Sequence, residues 1–245
     1  MNIDLIYIYH SGYAILGEGF TIIIDYYKDS VSDTDGIVHQ TLLSRPGKLY
    51  VLSSHFHADH FNYEIMKWKE LRNDITFILS KDIAKRRKID KSLVNLIKKG
   101  DVFCDENITV KAYGSTDVGV SFLIQLSCDG KRIFHAGDLN NWHWMEESEE
   151  PEWKGYENNF LKELDDIYKD YNELDLVMFP VDPRLGKEYQ RGARQFTEKI
   201  KTKVFMPMHY GDDYKAANTF QDYANNIGIY SPLIREKGQY FSSII

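Results

Sequence analysis

The segment Ser53-Ser54-His55-Phe56-His57-Ala58-Asp59-His60 gathers three histidines and an aspartate within six positions, directly after the apolar run Leu49–Leu52. Residues two apart on an extended chain point to the same side, so His55 and His57 converge on one point, while Asp59 and His60 lie where the chain turns into its next element. Imidazole and carboxylate are the donors that divalent transition metals take. Clustered without an ion, they would leave several polar groups to satisfy for no structural gain. The segment therefore reads as a metal-binding loop at a strand end.

Such a loop needs a rigid frame. Strand-length apolar runs recur at 5–9, 21–25, 49–53, 76–79, 108–112, 120–126, 132–135, 176–180 and 204–207. Helical patterns fall at 62–71, with Asn62 as N-cap, and at about 159–171, 189–200 and 214–225. A hairpin-rich first half, helical insertions and a second run of strands predict an α/β sandwich; no glycine-rich phosphate loop follows the first strand. With no internal repeat or low-complexity linker, residues 1–245 are expected to form a single domain. Residues 146–175 carry twelve acidic residues against three lysines, interleaved with Trp153, Tyr156, Phe160 and Tyr168. They read as a helical acidic insertion that covers something, suited to a lid or to a homo-oligomer contact. The basic segment 81–99 reads as a solvated helix face, with an anionic-substrate or RNA patch as the alternative.

The spacing H-x-H-x-D-H after an apolar strand resembles the metal-binding signature of the metallo-β-lactamase-fold hydrolases. Further pieces follow in the expected order. The run 132–135 leads into Ala136-Gly137-Asp138, similar to the family's Gly-Asp element, and Val204-Phe205-Met206-Pro207-Met208-His209 resembles its late histidine strand. His10-Ser11-Gly12 and Thr21–Asp25 are similar to its opening strands. The resemblance spans about residues 5–211 and looks most like the lactonase and phosphodiesterase-like branch. It implies an αββα sandwich of two mixed β-sheets flanked by helices. It also implies a centre in which His55 and His57 bind a first metal, Asp59, His60 and His209 a second, and Asp138 bridges both, with Asp25 orienting a ligand histidine. Zinc is the implied ion, one or two per chain, with manganese or iron as alternatives. The chain departs from the family at one place: the first metal's third histidine is missing, since residues 61–134 contain none. Asp117, or a hydroxyl beside it, is the candidate substitute; the competing reading makes Ser115-Thr116-Asp117 an ordinary turn.

The implied activity is that of a metal-dependent hydrolase acting on a small anionic metabolite such as a lactone, a phosphodiester or a related ester. Water activated by the metals attacks, Asp59 orients it, and one metal polarises the scissile carbonyl or phosphoryl oxygen. His143, between Trp142 and Trp144, is a candidate acid for the leaving group; ligation of the first metal and loop packing are its other readings. The loop from Trp142 to Trp153 is expected to wall the cleft. Arg184, after the run 176–180, is a candidate anion-binding residue or a surface loop arginine. His135 should face away from Asp138 and serve structure, whereas His10 and His39 stay unassigned.

Thirty Lys plus Arg against 37 Asp plus Glu give a formal net charge of −7, which argues against nucleic acid as the partner. A nuclease of the same fold and a non-hydrolytic relative, di-iron redox or degenerate, remain the competing functions. No membrane-length apolar stretch or basic leader is seen, so a cytoplasmic protein without a membrane partner is expected. Cys104 and Cys128 lack any paired-ligand spacing and are read as reduced.

Overall fold

A computed structural model describes residues 2–245. Six strands come first: β1 (Asp4–Tyr9), β2 (Gly12–Gly17), β3 (Phe20–Ile24), β4 (Lys48–Ser53), β5 (Ile75–Ser80) and β6 (Val94–Ile97). Six more follow, β7 (Val102–Cys104), β8 (Ile108–Tyr113), β9 (Ser121–Leu126), β10 (Arg132–His135), β11 (Glu173–Pro180) and β12 (Lys201–Met208), and then β13 (Gln239–Phe241). One sheet has the order β13-β1-β2-β3-β4-β5-β6 and the other β12-β11-β10-β9-β8-β7. Both are mixed: β3 to β6 and β10 to β12 run parallel, and the remaining neighbours are antiparallel.

Successive side chains of a strand face opposite ways, and here both ways lead into apolar packing. In β1, Leu5 and Tyr7 join the larger core with Val110, Phe122 and Ile124 of the second sheet. Ile6 and Ile8 instead enter a smaller core closed by Val38, Ile65, Trp68 and Ile83. Burial on both faces is why β1, β3 and β4 read as continuous apolar runs rather than as alternation. The helices α1 (Ile37–Gln40) and α2 (Ile83–Arg86) and a 3-10 segment, Tyr63–Glu70, serve the first sheet. The helices α3 (Glu150–Asp170), α4 (Arg191–Lys199), α5 (Tyr214–Asn218) and α6 (Phe220–Asn226) serve the second. The result is the αββα sandwich that the sequence implied.

Several expectations change in detail. The 62–71 helix is a 3-10 segment, capped as expected by Asn62, whose side chain accepts from the Glu64 N–H. The 214–225 helix breaks at Thr219, whose hydroxyl bonds back to the Ala216 carbonyl and competes with the helical ladder. The helix in the acidic segment starts at Glu150, earlier than expected, because Pro151 sits in the first turn, where its missing N–H costs nothing. Its buried stripe is Phe160, Leu164 and Ile167, each worth about 1.5–3 kcal/mol of transfer free energy. Its acidic face meets cations: Glu163 and Asp166 hold Lys99, Asp170 holds Lys111 and Glu157 holds Arg191. The 81–99 segment is no helix face. It contains α2, a 3-10 turn and β6, with Lys81 and Lys99 paired to carboxylates. Cys104 and Cys128 are exposed and no disulfide joins them. Among the described residues, no helix is long and apolar enough to cross a membrane.

Candidate metal centre

In α/β sheets, functional groups collect beyond the carboxyl ends of parallel strands. Asp25 follows β3, the His55–His60 loop follows β4, Asp138 follows β10 and His209 follows β12. Strands of both sheets thus deliver donors to one seam between them, and the β8–β9 loop adds Asp117.

The donors form two groups, within each of which the candidate ligand atoms all lie within 4.8 Å of one another. One group is His55, His57, Asp117 and Asp138; the other is His10, Asp59, His60 and His209. In the first, His55 Nε2 is 3.0 Å from His57 Nδ1, and Asp117 Oδ2 is 3.4 Å from that same Nδ1. Asp138 reaches both groups with different oxygens. Its Oδ2 is 3.4 Å from His55 Nε2, while its Oδ1 is 3.0 Å from His60 Nε2 and 3.3 Å from His209 Nε2. Asp59 Oδ2 stands 3.7 Å from each of those two nitrogens. The buried atoms His60 Nε2, His209 Nε2 and Asp138 Oδ1 have no hydrogen-bond partner despite this proximity. Buried polar atoms are seldom left so, and three that face one another fit a cation between them.

The opposite nitrogen of each of these two histidines is fixed, as is usual for metal-ligating imidazoles. Asp25 Oδ2 lies 2.7 Å from His60 Nδ1, and the same carboxylate accepts from the Ser54 N–H and hydroxyl. Asp182 Oδ2 lies 2.9 Å from His209 Nδ1, with the Arg184 guanidinium donating to both oxygens of the same carboxylate. The ligand loop is pinned by the Phe56 N–H donating to Asp82. Two glycines let the loops approach. At Gly137 (φ 53) a Cβ would lie 2.8 Å from Ser54 Cβ, and at Gly119 (φ 79) it would lie 2.1 Å from the Ser54 carbonyl oxygen. His10, Asp25, Trp144 and His209 hold positive φ without being glycine, strain of the kind that concentrates at functional sites.

Charge supports the same reading. Burial works against the charged forms of Asp59 and Asp138. The histidines around them, His10, His60 and His209 for Asp59 and His60, His209 and His55 for Asp138, nevertheless hold both carboxyls well below the usual carboxylate range. Burial likewise opposes a charge on His60, but Asp138 and Asp25 on either side push its pKa well above the histidine range. This is a site built for positive charge.

A cleft of about 400 Å3 opens over the centre, lined by His57, Asp59, Asp117, Asp138 and His209 together with Thr116, Trp142, Trp144, Tyr156 and Arg184. The two tryptophans stack, and Trp142 meets His209 in a T-shaped contact. Trp153, expected in this wall, is not among the lining residues; Tyr156 takes that place. His143 does not reach the cleft. Its Nε2 meets the Glu188 carbonyl at 3.1 Å and its Nδ1 accepts from the Met145 N–H, so neither nitrogen is available for ligation or proton transfer. The acid role expected for it is corrected to one of holding the loop. His135 is buried, with Nε2 on the Ser11 carbonyl, and serves structure as expected.

Two residues escaped sequence reasoning. Asp182 carried a usable signal: like Asp25, it stands just beyond an apolar strand. His10 is the other. Its Nδ1 accepts from the Gly211 N–H, and its buried Nε2 lies 3.4 Å from Asp59 Oδ2 without a hydrogen-bond partner. It joins Asp59, His60 and His209 as a further donor of their group, and only its place in the β1–β2 turn hinted at that.

No family model matches the chain, and no curated protein matches it in sequence. Solved structures do. Igni18, a metallo hydrolase from the archaeon Ignicoccus hospitalis, is 17% identical with a TM-score of 0.68, covering 99% of this chain and 98% of that one. The metallo-β-lactamase fold protein YhfI of Bacillus subtilis is 13% identical with a TM-score of 0.61, covering 98% of this chain and 99% of that one. CmlA, a diiron β-hydroxylase of Streptomyces venezuelae, is 11% identical with a TM-score of 0.64; the match covers 98% of this chain and 54% of that one. Strand order, the seam of donors and these likenesses agree: the chain has the metallo-β-lactamase fold.

Proposed function

We propose that the protein is a metal-dependent hydrolase that cleaves a small anionic ester, such as a lactone or a phosphodiester, at a two-ion centre. The observation that carries this reading is Asp138, whose two carboxylate oxygens face two separate donor groups. His55, His57 and Asp117 would hold one ion, Asp59, His60 and His209 the other, and Asp138 both. Divalent ions so held supply Lewis acidity toward a water and toward the carbonyl or phosphoryl oxygen of an ester.

The chain's own groups do the rest. Asp59, ionised and open to the cleft, accepts a hydrogen bond from the attacking water and fixes its direction. Arg184, whose side chain is 63% exposed and sits at the cleft wall, offers its guanidinium to an anionic group of the substrate. Trp142, Trp144 and Tyr156 shield the bond under attack from bulk water. The likeness to Igni18 supports a hydrolase. An acidic protein whose lysines at 81 and 99 are already paired gives a nuclease little support.

The test is hydrolysis of a panel of lactones, phosphodiesters and thioesters by metal-supplemented protein beside its His60→Ala variant. Turnover of at least one class, abolished in the variant, is expected. Equal turnover by both proteins would overturn the assignment.

A further inference from the structure

The structure points to an unusual donor balance in this centre. We infer that Asp117 is a ligand in its own right and that it makes the His55–His57 site oxygen-rich, so that it accepts Mn2+ or Fe2+ in place of discriminating strongly for Zn2+. The inference rests on the two-ion reading above and deepens it.

No nitrogen remains to complete this site. Of the eight histidines, His55 and His57 belong to it, and His60 and His209 belong to the other group. His39 is clamped between Asp29 and Glu64 at 2.7 Å on each side, and His135 and His143 have both ring nitrogens occupied by backbone groups. His10 accepts from Gly211 through Nδ1, and its Nε2 lies with the Asp59, His60 and His209 group. The groups that do face His55 and His57 are the carboxylates of Asp138 and Asp117.

Asp117 is also held where a ligand would be, by more than its own turn. On one side of it, Thr116 Oγ1 donates to the Asn140 carbonyl at 2.6 Å and accepts from the Asn140 N–H at 2.9 Å, tying the loop to the segment that carries Asp138. On the other side, the Val120 N–H donates to the Ser54 carbonyl at 3.0 Å, tying it to the residue before His55. Gly119 packs against that same carbonyl too closely for any side chain. The loop is thereby fixed to both ligand segments, with Asp117 between them.

Two imidazoles and two carboxylates form a harder donor set than an imidazole-dominated one, and carboxylate suits manganese where imidazole suits zinc. Across the whole centre, Asp59, Asp117 and Asp138 would place three negative charges against two divalent cations, so the chemistry need not rely on soft nitrogen donors.

The experiment is equilibrium binding of Mn2+ alone, Zn2+ alone and the two in competition, with Mn2+ followed by electron paramagnetic resonance. The unaltered chain is compared with Asp117→Ala and Asp117→His. Asp117 is 42% exposed at its side chain, so neither substitution threatens the core. The unaltered chain should bind two Mn2+ ions with a spin-coupled spectrum. Asp117→Ala should keep one ion and lose the coupling, and Asp117→His should regain two and shift the Zn2+ over Mn2+ preference at least tenfold toward zinc. Two tightly bound ions with unchanged affinities in Asp117→Ala, or an unchanged preference in Asp117→His, would overturn the inference while leaving the hydrolase reading standing. Failure of the unaltered chain to bind either ion would overturn both.

Discussion

Replacing Asp25 by Asn tests how far this centre depends on groups that never touch an ion. The side chain is fully buried and makes three contacts, to the Ser54 N–H, the Ser54 hydroxyl and His60 Nδ1, each at 2.7 Å. Asparagine keeps the shape and tolerates the positive φ of 49 at this position, which Ala would strain. With Oδ1 still on the Ser54 N–H, the new amide N–H2 faces His60 Nδ1 and must donate to it. The imidazole proton is then driven to Nε2, the nitrogen that faces Asp138. Losing a hydrogen bond to a charged partner costs about 1.5–3 kcal/mol, which corresponds to about 10- to 150-fold in an equilibrium constant. Losses of outer-shell partners of metal-bound histidines run to about 10–100-fold in affinity. We therefore expect the ion held by His60 to bind about 10–100-fold more weakly, with the ion held by His55 and His57 little changed. The metal-free variant should melt roughly 4–8 °C lower, for a loss of about 2 kcal/mol in a chain of this size. Titration against a chromophoric chelator, with a melting curve of the same sample, reads both quantities. Equal affinities for both ions in the variant and the unaltered protein would refute the coupling of Asp25 to the centre.

Other outcomes follow from the same geometry. His143→Ala should lower stability by about 1–3 kcal/mol, since it removes two part-buried hydrogen bonds to backbone groups at about 0.5–1.5 kcal/mol each, yet leave turnover within a few-fold; a rate loss of orders of magnitude in steady-state assays would restore an acid role. Addition of Zn2+ or Mn2+ at about 100 times the dissociation constant should stabilise the chelator-treated protein by roughly 2.7 kcal/mol, and no shift in the melting curve would contradict a folded-state site. Arg184→Gln should raise KM for anionic substrates more than for neutral analogues, and an equal change for both would remove it from anion binding. Hydrogen bonds from Lys169 and Lys99 hold Asp166 down to about 2, so its contribution is present above the ordinary carboxylate pKa and lost as pH falls toward 2. For so exposed a pair the effect is below about 1 kcal/mol; acid melts of Asp166→Asn should converge with those of the unaltered chain near pH 2, and a gap that widens with acid would reverse the sign.

The donor cluster of the His55–His60 loop was legible because its residues are packed into six consecutive positions, and the convergence of Asp138 and His209 on it because each follows an apolar run. Asp117 could be nominated from the turn it occupies but not placed. What locates it is the pair of hydrogen bonds between Thr116 and Asn140 and the approach of Gly119 to Ser54, contacts between segments far apart in sequence. His143 misled because a histidine between tryptophans has the same local sequence whether its nitrogens meet a substrate or two backbone groups. Among the strands, β7 and β13 are three residues each and too short to show a period of two. β2 is flanked by glycines and buried throughout, so its pattern shows no polar alternation. The 3-10 character of Tyr63–Glu70 and the break at Thr219 depend on local hydrogen bonds that hydrophobic spacing does not register.

The seam that holds the centre joins the ends of strands from two different sheets, so its contacts are long-range in sequence. An ion there would act as a cross-link between residues as distant in sequence as His60 and His209, and it can form all its bonds only once both sheets have met. Where the transition state precedes that meeting, their stabilisation falls on the unfolding rate and leaves the folding rate almost unchanged. In kinetic terms the metal would serve as a latch: loading the protein lengthens the lifetime of the folded chain without hastening its formation.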